Sequence, residues 1–446
     1  MVKTTTLKKS KPVKKKQNIT VPGFEFVCSK AGISEYLLKK NGLRVLLKED
    51  HFVPVATVMV TYLVGSVDET TGQTGLAHML EHMMFKESKH FRRKDKRDIN
   101  EVLDKKGARL NATTWRDRTN YFETISTEFL EDAIALEADR MRHAILEQKE
   151  LNPEMVVVRN EYEIGRNNPF RSLHAEMMAT AYQVHPYHHD TIGWLSDIKD
   201  YTAEKVQSFY DTYYHPNNAV VSVVGDIDIK KTLTLIRTYF GVHPKSPRPI
   251  HRVTVEEPEQ HGERRVTFAR PAELDVYAVF YKKPHALHPD MPALSILSGL
   301  LADGNASVLH RALVDTGLAS AVEVDTHPFR YPSCLKLFVV LTPGTTHETV
   351  ERTIVDVCAQ IKEGNISDEA VERAKRRYQT ASAFGRSGTG SVSKNLAEAI
   401  AGGDWRMFVD IHANVARVTK DDVVRVAQAY LNEKTRTVGL FYGERA

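Results

Sequence analysis

Three cysteines in a chain of 446 residues are too few to build a disulfide framework, and Cys28, Cys334 and Cys358 are too widely spaced to form a zinc ribbon. Their scarcity points to a reducing, cytoplasmic setting. Long apolar runs are missing too: none approaches the ~20 residues that a membrane-spanning helix needs. The first twenty residues hold no apolar segment of the kind a secretory signal carries, and no arginine, which argues against a mitochondrial transit peptide. Charge imbalance is slight, with a formal net charge of +4. Seven lysines crowd between Lys3 and Lys16, so the remainder is close to neutral. Residues 1–20 therefore read as a disordered, lysine-rich tail, solvated rather than bound to nucleic acid.

What is present is ordinary for a soluble globular protein, 42% hydrophobic and 26% charged. The length suggests two to three domains. Asn41-Gly42 is a hairpin signal ahead of a strand over 43–48. The β-branched run over 53–65 reads as a central strand. Segments 109–114 and 118–125 look like a second hairpin, and 128–146 has the spacing of an amphipathic helix. Asn152-Pro153-Glu154 reads as a helix start, with Asn as cap and Pro at the first helical position. Pro244, Pro247, Pro249 and Pro258 mark an extended linker. Beyond it the pattern repeats. Thr202 heads a helix with Val206 and Phe209 at the fourth and seventh following places, ahead of a strand over 219–224. Thr419 heads another with Val423 and Val426 at the same offsets, ahead of a strand over 437–441. The expectation is an α+β chain of two tandemly duplicated domains, each a largely antiparallel sheet with helices packed on one face. The catalytic unit would span 21–241, the linker 242–262, and the second domain, forming a substrate chamber or dimer contact, 263–446.

The sharpest feature is Thr74-Gly75-Leu76-Ala77-His78-Met79-Leu80-Glu81-His82-Met83-Met84-Phe85, rich in helix formers, with Thr74 as a candidate N-cap. Residues three and four apart share a helix face, so His78, Glu81 and His82 look the same way. Two imidazoles at that spacing can grip one Zn²⁺ while the carboxylate stays free to take a proton from water. Burying three such groups among Leu, Met and Ala without a partner would cost ~1–3 kcal/mol for each. His-x-x-Glu-His is the reversed form of the zinc-protease helix motif. A catalytic zinc needs a third protein ligand, and Glu154 and Glu161, seven residues apart, lie on one face of the next long helix. His174, at the start of a segment that reads as helix over 174–183, and His185, His188, His189 and His215, whose His-Pro and Pro-Asn-Asn settings read as loop structure, are left out of the ligand set.

Together, His78-Met79-Leu80-Glu81-His82 and Glu154-Met-Val-Val-Val-Arg-Asn-Glu161 resemble the pitrilysin/insulinase family of zinc peptidases, in its short bacterial and mitochondrial-processing-peptidase-like branch. Gly107-Ala108-Arg109-Leu110-Asn111-Ala112-Thr113-Thr114, His185-Pro186-Tyr187, Tyr214-His215-Pro216-Asn217-Asn218 and Val224-Gly225-Asp226 are similar to further family signatures. The resemblance implies one zinc per chain on His78, His82 and Glu161, with Glu81 as general base and Glu154 as accessory acid. It implies that Asn111 and Ala112 lie on an edge strand that a peptide substrate joins. The interval from His82 to Glu161 is slightly long for the family, and the basic loop over 86–97 is where the extra residues fit.

One departure stands out. Active members carry an arginine four residues before, and a tyrosine three residues after, a Gly-Leu turn in the second half. Around Gly317-Leu318 those places hold Leu313 and Ser320. The expectation is a zinc endopeptidase subunit for extended peptides that works as a heterodimer with a homologous subunit carrying the Arg/Tyr pair. A homodimer is open to it as well, but both copies would lack the pair. The alternative is a non-catalytic structural subunit of a processing-peptidase-like complex.

Overall fold

The computed structural model describes residues 19–444. The lysine-rich tail expected over 1–20 lies outside the described residues except for Ile19 and Thr20. Among the described residues no helix is long and apolar enough to cross a membrane.

Two sheets carry the architecture. The first has seven strands in the order Phe24–Lys30, Ile33–Leu38, Leu43–Glu49, Ala219–Gly225, Val55–Tyr62, Thr119–Ser126 and Arg109–Thr114. The second has five, in the order Arg264–Pro271, Arg436–Glu444, Val276–Lys283, Ser333–Leu341 and Ala319–Asp325. Five strands of the first sheet match the five of the second in order and direction, and Phe24–Lys30 and Ile33–Leu38 are additional. In each, the last strand of the half lies between a parallel neighbour and an antiparallel one, Ala219–Gly225 in the first sheet and Arg436–Glu444 in the second. The helices before them, Ala203–Tyr213 and Lys420–Tyr430, are both capped by the threonines that the sequence picks out: Thr202 Oγ1 accepts the Lys205 N–H, and Thr419 Oγ1 the Asp422 N–H. The chain is an α+β tandem duplication. Residues 241–263 between the sheets carry no helix or strand.

Each sheet packs its own helices on one face. The other face is covered by a helix from the opposite half, which is why Ala219–Gly225 and Val55–Tyr62 are buried almost throughout instead of alternating. Thr389–Ala401, from the second half, lies on the first sheet: Thr57 Oγ1 bonds Thr389 Oγ1 at 2.8 Å, and Leu396 and Ile400 cluster with Ile33, Leu46 and Val220. Pro169–Ala181, from the first half, lies on the second sheet. Its Met177 and Leu173 sit over Gly439 so closely that a Cβ there would fall 2.4 Å from the Met177 sulfur. This reciprocal exchange ties the halves through apolar burial, the term that dominates folding.

Three local expectations shift. The strand expected over 53–65 is confined to Val55–Tyr62, because Pro54 has no N–H to offer the ladder. The helix expected to start at Asn152 begins earlier and spans Gln148–Asn167, with Pro153 inside it. Proline's missing N–H costs one bond there, and buried Leu151 docks the turn before it. The third concerns Thr74 and is described with the site.

Candidate active site

The short helix Leu76–Met83 buries Leu76, Ala77, Met79, Leu80 and Met83 and turns His78, Glu81 and His82 to its half-open side. Its start is not capped by Thr74. Gly75 occupies the cap position at φ 82°, left-handed backbone that favours glycine, and a Cβ there would lie 2.3 Å from the Tyr201 hydroxyl. The first turn's free N–H groups go instead to the buried Glu69 carboxylate, which accepts Gly75 N–H at 2.7 Å and Ala77 N–H at 2.8 Å. Burial pushes the Glu69 pKa up, against the opposing pull of His189, whose Nε2 lies 3.0 Å away, and of those N–H groups. Thr74 Oγ1 donates to Asp197 at 2.8 Å and accepts Trp194 N–H at 2.9 Å, so it anchors the loop before the helix.

Glu161 approaches from the helix Gln148–Asn167. Its Oε2 lies 3.7 Å from Nε2 of His78 and 3.7 Å from Nε2 of His82. Those separations are too long for hydrogen bonds. They suit three donors around one cation: tetrahedral ligands at ~2.0–2.2 Å from zinc sit about 3.3–3.5 Å apart. Two imidazole nitrogens and a carboxylate oxygen are a set that zinc accepts, so the residues present fit the metal. Burial and the neighbouring His82 press the His78 pKa down to about 3, which keeps its ring neutral and its lone pair available.

Glu154, two turns before Glu161, faces the other side of His82: its Oε2 lies 3.1 Å from His82 Nδ1, and its Oε1 is bonded by Lys86 Nζ. Burial alone would raise its pKa, but Lys86 and His82 outweigh that and hold it below the usual carboxylate value. His78 has no such support, since its Nδ1 is buried without a hydrogen-bond partner among the described residues. Glu81 is outside the trio of ligand atoms. Thr114 Oγ1 donates to it, and burial raises its pKa against the pull of Thr114, His82 and Arg118. Glu163 points to the surface and pairs with Arg159, 3.9 Å away.

Asn111 and Ala112 lie on Arg109–Thr114, which is the edge of the seven-stranded sheet. Trp115 N–H bonds Arg118 O at 2.9 Å, and the alternation of antiparallel pairs then turns the N–H and C=O of Ala112, opposite Tyr121, outwards. Asn111 Oδ1 accepts that outward N–H at 2.8 Å. The five set-aside histidines contribute no ligand atom to the trio. His185 accepts Tyr187 N–H, and His215 Nε2 lies 2.8 Å from the Asp211 carbonyl. Three supporting residues escape the sequence reading: Glu69, Lys86 and Thr114. Lys86 reads as surface loop, and no local pattern ties Glu69 to a helix that starts seven residues later.

In the second half, Leu313 is fully buried in the core and Ser320 is exposed on the edge strand Ala319–Asp325. Leu313 has no polar group to offer a substrate.

Comparison with known proteins places this geometry. Residues 44–193, which include the trio together with Glu69, Glu81, Lys86, Thr114 and Glu154, match the family model described as insulinase, peptidase family M16. Residues 200–378 match the model described as the M16 inactive domain, which contains none of those eight. The chain is 30% identical over 408 residues to the zinc protease PqqE of Helicobacter pylori, covering 90% of this chain and 91% of that protein. It is 22% identical to a probable mitochondrial-processing peptidase subunit beta of Arabidopsis thaliana, over 88% of this chain and 75% of that one. The crystal structure of a protease from Helicobacter pylori superposes with a TM-score of 0.87 at 29% identity, covering 95% of this chain and all of that one. The chain therefore belongs to the insulinase family of peptidases, family M16.

Proposed function

We propose that the protein is a zinc-dependent endopeptidase subunit that hydrolyses extended or unfolded peptides. The observation that carries this is the meeting of His78 and His82, from one helix, with Glu161, from another, while Glu81, bonded by Thr114, lies beside them outside the trio. His78, His82 and Glu161 would hold one zinc. Bound there, the metal supplies Lewis acidity, polarising the scissile carbonyl and easing deprotonation of water. Glu81 takes the proton and hands it to the leaving amine, a role suited to a carboxylate whose pKa burial has raised. Thr114 keeps that carboxylate aimed, and Glu154 holds the His82 ring. An extended peptide adds to the edge at Ala112, exchanging its own carbonyl for the Asn111 side chain on the outward N–H. Backbone pairing of this kind favours unfolded segments over compact proteins.

Leu313 and Ser320 stand where an arginine and a tyrosine would bind substrate and the developing oxyanion. Loss of one such donor costs about 10²–10³ in rate. We infer that a homologous subunit supplies the pair, a reading supported by the Arabidopsis relative, a probable processing-peptidase subunit. The three unpaired cysteines support a reducing compartment for the complex. The same buried Leu313 favours the second reading, a non-catalytic structural subunit.

The test is hydrolysis of an unstructured peptide by the purified chain, alone and with a homologous subunit that carries the Arg/Tyr pair. The expected result is slow or no turnover alone and chelator-sensitive turnover in the pair, abolished by Glu81→Gln in this chain. Turnover in the pair that survives Glu81→Gln makes this chain the structural subunit. Full zinc-dependent turnover by the chain alone removes the need for a partner.

A further inference from the structure

A second group of metal-binding side chains lies outside the site described above. His90, Asp139 and His143 bring one candidate ligand atom each to within 4.8 Å of one another. His90 belongs to the basic loop over 86–97. Asp139 and His143 lie one turn apart at the end of the helix Leu130–His143.

Both imidazoles converge on a single oxygen. Nδ1 of His90 lies 2.7 Å, and Nδ1 of His143 2.9 Å, from Asp139 Oδ1. The other carboxylate oxygen is already committed: Oδ2 accepts the Ser88 hydroxyl at 2.6 Å and the His90 backbone N–H at 2.9 Å. Asp139 itself is buried, its side chain 5% exposed, while the rings of His90 and His143 remain open to solvent. The carboxylate is thus fixed in direction by groups that are not ligands, with one oxygen presented to two nitrogens that change tautomer at little cost. A metal-binding carboxylate is held in this way when its outer contacts orient it.

We infer that His90, Asp139 and His143 form a second transition-metal site, of the two-imidazole, one-carboxylate class that takes Zn²⁺ or Co²⁺, with water completing the shell. Without metal, each ring donates Nδ1–H to Asp139. With metal, each keeps its proton on Nε2 and turns the Nδ1 lone pair inwards. The ion replaces two hydrogen bonds, so the Nδ1–Oδ1 separations open from 2.7 and 2.9 Å to the ~3.3–3.5 Å of neighbours on one ion, with no change in net protonation of neutral rings.

The site sits where it fastens the loop to the body of the domain. Glu87–Ser88 pairs with Ala144–Ile145, the residues that follow His143. The residue before that short strand is Lys86, which bonds Glu154, and Glu154 in turn holds His82. Metal at His90 and His143 would therefore steady the loop from which Lys86 reaches the first site.

The experiment uses the full chain, stripped with a chelator and dialysed against Zn²⁺, with metal counted per chain. The expected count is two in the wild type, one in His90→Ala, and one in the double variant His82→Ala, Glu161→Ala. In that double variant a further His90→Ala should weaken Co²⁺ binding, followed by its visible absorption, by roughly tenfold or more. His90 is an exposed loop residue, so its replacement leaves the fold intact, and circular dichroism checks that it does. The inference is overturned if the wild type binds one ion that the double variant loses, or if His90→Ala leaves the count and the Co²⁺ affinity unchanged. Failure of the first site gives a different pattern: one ion, kept by the double variant and lost with His90→Ala.

Discussion

Glu154 Oε2 lies 3.1 Å from Nδ1 of His82, while Nε2 of the same ring is the nitrogen that faces Glu161. In the proposed site one helix would thus supply both a ligand and, seven residues earlier, the group that orients another ligand. The two carboxylates differ in task because their neighbours differ. Glu154 is paired with Lys86 and held ionised, whereas Glu161 faces the two imidazoles at 3.7 Å.

Replacing Glu154 with Gln should therefore weaken zinc rather than remove it. Loss of an outer partner of this kind costs about 10–100-fold in metal affinity. Competition with a chelator of known affinity measures it. Zinc held as tightly as in the wild type would mean that the contact does not support the ring.

Thr114→Val should leave zinc affinity unchanged and lower kcat by roughly tenfold, the low end of what a positioned acid–base group contributes. The reason is that Thr114 touches Glu81 and no member of the ligand trio. Metal content and steady-state rates on one peptide separate the two effects. A parallel fall in both would place Thr114 in the metal site instead.

The two halves are also joined by charge, and this sets an acid limit. Arg118, in the turn between Arg109–Thr114 and Thr119–Ser126, bonds Glu398 of the second half, and His327 Nε2 lies 3.4 Å from the same carboxylate. Burial would raise the Glu398 pKa, but His327 and Arg118 outweigh it and bring it from the ordinary 4.5 to about 2. Because the folded value is the lower one, the unfolded chain takes up the proton first as pH falls. The stabilisation is complete above about pH 5 and is lost progressively as pH drops from there towards 2. Glu398→Gln should cost roughly 1–3 kcal/mol at pH 6, less than the full penalty of breaking a fully buried pair. The gap from wild type should narrow at pH 3. Urea unfolding at the two pH values checks this, and a gap that is independent of pH would refute it.

Much of the fold is legible in the sequence because its signals are local. The periodicity of the helices, the β-branched strands and the twin threonine caps at Thr202 and Thr419 all act within a few residues. Helical spacing likewise sets His78 against His82 and Glu154 against Glu161, but it leaves open which glutamate joins the imidazoles, and Glu161 is what the family resemblance implies. What escapes is long-range. That Thr389–Ala401 lies on the first sheet, and Pro169–Ala181 on the second, depends on which buried faces find each other, and no single element announces its partner. The cap of the metal helix escapes likewise. Thr74 looks like an N-cap, but Glu69 reaches the same N–H groups from across a turn, freeing Thr74 for Asp197 and Trp194. Asn152-Pro153 misleads because a proline in the second turn costs only one hydrogen bond, which the docking of Leu151 offsets.

Anomalous scattering at the zinc edge from crystals of the full chain tests the account at its centre. The prediction is a peak bonded at ~2.0–2.2 Å to Nε2 of His78, Nε2 of His82 and a carboxylate oxygen of Glu161, with Glu81 outside bonding distance. A zinc-saturated crystal with no peak between those three side chains, or with Glu161 turned away from the ion, would contradict it.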